Sequence, residues 1–322
     1  MFGAGDFPLA GDVFGEASLL FNALLAAMRG DGGAQEATNT PKPALDCCVM
    51  LVFAVALFVF NWGTRWAVLE PLAVRVVALE PRNGLQGRRE KFSQSASEAI
   101  FYGTSFLIGL CVVPRQTWIW PSALWYVGKN SGVIDPANPH AFLSNELKCY
   151  ILLYLGRYFQ GLVSVFLEHK RKDFLEMLIH HSVTVMLIGL SYTHQYNRVG
   201  VVVMLLLDIG DVPLHLAKLC KYMNRDGAAD VFFVLFGVSF FLSRLVVYPY
   251  VVWSGTVEGY AIMGVYGGVE WTAVALLYVL LALQVYWMAM ILKVALKMNN
   301  GHSVEDIRSD SDEDEGEKKK KA

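Results

Sequence analysis

The sequence predicts an all-α integral membrane protein with about seven transmembrane helices. Three observations point there. Of its 322 residues 55% are hydrophobic and only 17% charged, against roughly 25% charged in an ordinary soluble domain. The apolar residues are gathered in long blocks, and seven blocks reach the roughly 20 residues a helix needs to cross the hydrocarbon core. No strand-like alternation or internal repeat is present. Net charge is −2, from 27 Lys+Arg against 29 Asp+Glu, so overall charge offers nothing to a nucleic acid. A secreted disulfide scaffold and an ordinary cytosolic enzyme fit this composition no better.

Along the chain, residues 12–28 (DVFGEASLLFNALLAAM) read as a short amphipathic helix lying on the membrane surface. The first 28 residues hold no Lys or Arg, unlike a signal peptide with a basic n-region. The expected spans are 44–64, 96–114, 149–167, 174–193, 199–219, 230–253 and 268–292. The third carries Arg157 and the fourth two histidines, and Pro213 interrupts the fifth. Residues 254–267 read as the loop between the last two. Cys47, Cys48, Cys111, Cys149 and Cys220 lie in or beside apolar blocks without metal-ligand spacing, and read as small buried hydrophobes.

The distribution of basic residues orients the segmentation. Loops on one side carry six Lys or Arg and those on the other carry 19, with Arg157 and Arg244 left inside spans. That asymmetry predicts a lumenal N-terminus and a cytosolic C-terminus. The tail ends SVEDIRSDSDEDEGEKKKKA, with no apolar run able to fold. Ser303, Ser309 and Ser311 each precede an acid by three residues, a pattern suited to acid-directed kinases. The final KKKA resembles a dilysine retrieval signal for the endoplasmic reticulum.

Ionisable side chains at membrane depth are costly and mark function by default. The densest set is His180 and His181 in the fourth span with Asp208 and Asp211 in the fifth. Spaced three apart, the aspartates are expected on one helix face. His180 lies roughly 10 Å inside the basic end of its span and Asp211 roughly 12 Å inside the antiparallel neighbour, so the two pairs can meet. A carboxylate beside an imidazole fixes its tautomer and stabilises the imidazolium. Such a histidine takes a proton from an incoming amine or hydroxyl, or attacks a thioester itself. A metal site is disfavoured, because adjacent helical histidines point about 100° apart. The other histidines, His140, His169, His194, His215 and His302, form no ligand cluster. No metal and no resident cofactor are therefore expected. A proton-coupled transporter would show inverted repeats and broken helix pairs, which are not evident.

Residues 168–222 carry RKDF at 171–174, then His180, His181 and Thr184, then Ser191, Tyr192, Asn197, Arg198 and Gly200, and finally Asp208, Asp211 and Lys218. This stretch closely resembles the signature of the longevity-assurance ceramide synthases within the TLC domain. The likeness extends more weakly to 91–115, to Arg244 with YPY at 248–250, and to LQVYW at 283–287. Gln284 and Leu207 stand where the family often has histidine. With no homeobox-like insert after the first span, the chain resembles the shorter members.

The resemblance implies six spans in a TLC-type bundle around an intramembrane site, over residues 91–297. Residues 1–43 would form a lumenal N-terminal segment, 44–90 the first span with a cytosolic linker, and 298–322 a disordered tail. It implies transfer of a fatty acyl group from acyl-CoA to the amine of a sphingoid base in the endoplasmic reticulum membrane. Acyl-CoA is then co-substrate, and membrane lipid, a homo- or hetero-dimer or a regulatory subunit are the remaining partners. His180 and His181 would be nucleophile and base, in an order the sequence does not give, with Asp208 and Asp211 orienting them. Lys170, Arg171, Lys172, Tyr192, Asn197 and Lys218 would bind substrate. Residues 254–267 sit where the family tunes acyl length. The alternative is a non-enzymatic TLC-type lipid sensor or lipid-transfer protein, and loss of the His and Asp set would mark that branch.

Overall fold

The computed structural model describes residues 8–30, 42–77, 85–127, 144–167 and 173–299, and among them there is no strand. Eight helices are long and apolar enough to cross a membrane. They are α1 (Ala10–Arg29), α2 (Pro43–Val76), α3 (Leu85–Val112), α4 (Asn145–Leu167), α5 (Phe174–Thr193), α6 (Asn197–Tyr222), α7 (Asp226–Met263) and α8 (Gly268–Asn299). The seven expected spans map onto α2 to α8, and α1 is the addition. Outward-facing Trp66, Val234 and Leu296 are more than half exposed, an exterior suited to lipid rather than water.

Residues 12–28, read as a short amphipathic helix, fall within α1, and its apolar stripe is packed on the bundle. Val13, Ala17, Leu20, Leu24 and Ala27 recur every three or four residues and are buried, forming a stripe that packs on α2 and α4. Glu16 pairs with Lys148 at 3.0 Å, and Lys148 with Asp46 at 2.6 Å. Tyr192 donates to the same Asp46 at 2.6 Å. Near the other end of α1, Arg115 donates to the Ala27 carbonyl at 2.5 Å. Lys148 and Asp46 are almost fully buried, so each charge depends on this network to offset its desolvation.

Proline explains where the long helices deviate. A mid-helix proline lacks an N–H donor and its ring crowds the carbonyl four residues earlier. Pro71 follows a π-helical turn at Arg65–Leu69, and Pro249 follows one at Phe241–Val247. Pro213 follows the non-helical pair Ile209–Gly210, which breaks α6. In each case the backbone loosens just ahead of the ring.

Residues 254–263 are helical, contrary to the expected loop over 254–267. A further π-helical turn at Ser254–Glu258 carries α7 on to Met263. Ser254 and Ser122 both donate to the Glu258 carboxylate at 2.6 Å. The helix stops at Gly264, whose φ of 80° suits glycine. Only Gly264 to Gly267 then separate α7 from α8.

The basic end of the bundle is closed by contacts of α2, α3 and α6. Leu69, Ala73, Val77, Phe92 and Ala96 form a buried cluster there, and Arg88 donates to the Lys221 carbonyl at 3.0 Å. At the opposite end Arg198 donates to the carbonyls of Leu124 and Val127 at 2.5 and 2.7 Å. That contact lays the segment after α3 over the start of α6.

Candidate active site

A polar cavity of about 260 Å³ lies among α3 to α8 and reaches the basic end. Helical spacing decides what faces it. From α3 come Glu98 and Tyr102, four apart. From α4 come Arg157, Gly161 and Ser164, and from α6 Asp211, His215 and Lys218, each a run of i, i+4 and i+7. The fifth helix contributes His180 and His181, α7 contributes Arg244 and α8 contributes Trp287.

The two histidines are held by different means. His181 Nδ1 lies 2.8 Å from the Met177 carbonyl, which requires the proton on Nδ1 and leaves Nε2 basic. A backbone carbonyl thus fixes the tautomer, where the sequence had pointed to an aspartate. The ring fits because residue 161 is glycine: a Cβ there would stand 2.9 Å from both Nε2 and Cδ2. His180 is buried, edge-on to Trp287 at 5.2 Å and to His181 at 5.5 Å between ring centroids. Its Nδ1 finds no hydrogen-bond partner, and neither does Trp287 Nε1. Unpaired buried polar atoms beside a cavity are what a ligand would satisfy.

The aspartates part company. Asp211 lines the cavity, paired with Arg244 at 2.8 Å. Arg244 also donates to the Leu207 carbonyl at 2.5 Å and to Gln284 at 3.0 Å. Asp208 does not line the cavity. It is buried behind the wall, accepting from Ser105 at 2.8 Å and from Tyr154 at 2.6 Å. Three apart on a helix, the two carboxylates diverge by about 60°, which lets Asp211 face the cavity while Ser105 and Tyr154 hold Asp208 behind its wall.

Of the expected substrate-binding residues, Lys218 lines the cavity towards its basic end, together with Lys221. Lys170, Arg171 and Lys172 lie outside the described residues. Tyr192 and Asn197 line neither this cavity nor the one described next. The Tyr192 hydroxyl is taken by Asp46, and Asn197 is buried at the start of α6. Sequence reasoning missed Glu98 and His215. Arg157 was visible as a charge inside a span and forms an ion pair with Glu98. A buried guanidinium needs such a partner, so the acid in a neighbouring block was the available signal. His215 stacks on Tyr102 at 5.5 Å and 17°, and its place one turn beyond Asp211 was the signal for it. Among the described residues no three His, Cys, Asp or Glu side chains converge as metal ligands.

A second cavity of about 90 Å³ lies between α4, α5, α6 and α8, lined on the side nearest the histidine pair by Tyr158. Its walls are apolar, with Leu187, Ile188, Val203, Leu207, Val274 and Leu277 prominent. Tyr154, Tyr158 and Thr184 line the end near the histidines. At the far end Tyr196 donates to Glu270 at 2.7 Å and Tyr266 to the Gly255 carbonyl at 2.5 Å.

Residues 91–293 match the TLC domain family model. Ceramide synthase 4 of Mus musculus is 34% identical over 227 residues, covering 70% of this chain and 55% of that protein. Ceramide synthase 1 LOH3 of Arabidopsis thaliana is 32% identical over 238 residues, 70% of this chain and 76% of its own length. ASC1-like protein 3 of Oryza sativa subsp. japonica is 29% identical over 280 residues, 82% and 95% respectively. The chain thus spans little more than half the length of the mouse relative. With the family match extending over all the helices that build the cavity, the chain belongs to the TLC-domain family, alongside the ceramide synthases.

Proposed function

We propose that the protein is a ceramide synthase, transferring a fatty acyl group from acyl-CoA to the amine of a sphingoid base with release of CoA. One observation carries the reading: a histidine pair lines a cavity open to basic residues, and only the Tyr158 ring stands between that pair and an apolar cavity suited to an alkyl chain. Lys218 and Lys221 offer cations to the phosphates of CoA as charge-assisted donors. The thioester carbonyl then lies at the histidines, where the unpaired Trp287 N–H is a donor for the developing oxyanion. The basic nitrogen of His181 and the free nitrogen of His180 divide two tasks, attack on the thioester and removal of the ammonium proton. Whether the acyl group rests on imidazole or passes straight to the amine, one C–S bond breaks and one C–N bond forms. The proton from the amine leaves with the thiolate as free CoA. Asp211, held by Arg244, stabilises the positive charge that accumulates on the pair.

No metal or resident cofactor takes part in this scheme, and acyl-CoA is the co-substrate. The basic end faces the cytosol, and the site lies in the endoplasmic reticulum membrane, in keeping with the KKKA terminus. Microsomes lacking endogenous ceramide synthase, supplied with sphinganine and a panel of acyl-CoAs, provide the test. Wild type is expected to form amide, and His180→Ala, His181→Ala and Asp211→Asn to lose about a hundredfold or more of the rate. Correctly located wild type that forms none would favour the lipid-sensor or lipid-transfer reading instead. Full activity in all three variants would move the site elsewhere.

A further inference from the structure

The wall between the two cavities is built unequally. On one side Arg244 is fixed by hydrogen bonds to Gln284, Leu207 and Asp211 at 3.0, 2.5 and 2.8 Å. On the other stands Tyr158. Its ring lines the apolar cavity and lies 5.6 and 6.0 Å from the rings of His181 and His180, which line the polar one. Its ring stacks on that of Tyr154, with centroids 5.0 Å apart and the planes 27° from parallel. Tyr154 in turn donates to Asp208 at 2.6 Å, and Ser105 holds that carboxylate at 2.8 Å. One aromatic side chain, steadied by a stacked tyrosine that Asp208 holds, is therefore the part of the wall that a rotamer change can move.

We propose that Tyr158 is the neck between the two chambers and selects acyl chains by cross-section, and that Asp208 is a positioning residue acting on it through Tyr154. The inference rests on the acyl-transfer reading. A chain whose carbonyl sits at the histidines and whose tail fills the apolar cavity must pass the edge of this ring. The far end of the cavity limits length, whereas the neck limits width, so the two properties separate. The assignment also gives Asp208 a role that its position behind the wall allows.

The test is a competition in microsomes between a straight-chain acyl-CoA and a mid-chain methyl-branched isomer of equal carbon count, with sphinganine as acceptor. The ratio of the two amides does not depend on how much enzyme is folded. Tyr158→Leu is expected to raise the branched-to-straight ratio about tenfold, the scale on which a pocket discriminates one methyl group. Tyr154→Phe, which keeps the stacked ring and removes its hydrogen bond to Asp208, should move it the same way by about threefold, the scale of one net hydrogen bond. Asp208→Asn should move it likewise and add little when combined with Tyr154→Phe. An unchanged ratio in Tyr158→Leu would overturn the proposal. If that variant does not accumulate, an unchanged ratio in Tyr154→Phe would overturn it equally. A dead Asp208→Asn beside an active Tyr154→Phe would remove Asp208 from this role. Wild type without transfer to either substrate would refute the acyl-transfer reading instead.

Discussion

At residue 161 the chain has no room for a side chain, and that has a functional price attached to a single methyl group. The His181 ring occupies the space where a Cβ would stand, 2.9 Å from two of its atoms. Gly161→Ala is expected to displace the imidazole while α4, a long regular helix, persists. A misplacement of that order costs about a hundredfold in rate. The check is activity at matched expression beside a thermal melt in detergent; a large fall in the melt with proportional loss of activity would show global damage instead. Arg244 makes a second residue-scale prediction. Arg244→Ala leaves the Asp211 carboxylate without its partner and is expected to destabilise by about 3 kcal/mol. Arg244→Lys should rescue only part of this, since one ammonium cannot reproduce the fork that reaches Gln284, Leu207 and Asp211. Detergent-solubilised thermal midpoints in the order wild type, Lys, Ala would agree. Lys218→Gln should raise KM for acyl-CoA about tenfold at low ionic strength, with the gap to wild type narrowing as salt is added.

Among the elements, α5 and α6 show how far a sequence can be read. Helix α5 runs from Phe174 to Thr193, the span expected from its apolar block, because a continuous run with no proline leaves hydropathy alone to set the ends. Helix α6 shows the limit: its apolar run gave the right span, but periodicity could not reveal that Pro213 loosens the backbone at Ile209–Gly210. Which aspartate faces the cavity is set by partners on other helices, Ser105 and Tyr154 for Asp208 and Arg244 for Asp211. The histidines, Asp211 and Lys218 were legible because charge inside a span is conspicuous. Tyr158 and Trp287 were not, because an aromatic residue in an apolar block looks like packing until a neighbouring helix places it. Helix α1 carries its own prediction. Lys148→Met removes the cation that the Asp46 and Glu16 carboxylates share, and is expected to cost about 3–5 kcal/mol. Adding Asp46→Leu and Glu16→Leu should recover most of it. A triple variant as unstable as the single one would count against charge pairing as the cause.

On the scale of the whole molecule, the excess of basic residues on one side is expected to set the bundle's orientation in the bilayer, while α1 decides only the N-terminus. Seven spans, with α1 held against the far side, place the two termini on opposite faces. Eight spans place them on the same face. Epitope tags at each end, probed in sealed microsomes with and without detergent, separate these outcomes. The basic count leads us to expect the C-terminal tag accessible without detergent and the N-terminal tag protected.

The π-helical turns in α7 bear on how such a chain can change length. A turn of this kind holds one residue more than regular helix requires, so it is a place where the chain tolerates a change in count. Deleting one residue within Ser254–Glu258 would let regular helix form straight through. The segment Gly259–Met263 would then swing by about 100° around the axis, carrying Tyr260 away from Tyr266 and Trp271, against which it now rests. The bundle would survive, since everything before residue 254 keeps its register. The packing of Tyr260 on Tyr266, which lines the apolar cavity, would not. Inheritance by single-residue indels can therefore remodel that end of the protein while leaving the histidine pair untouched.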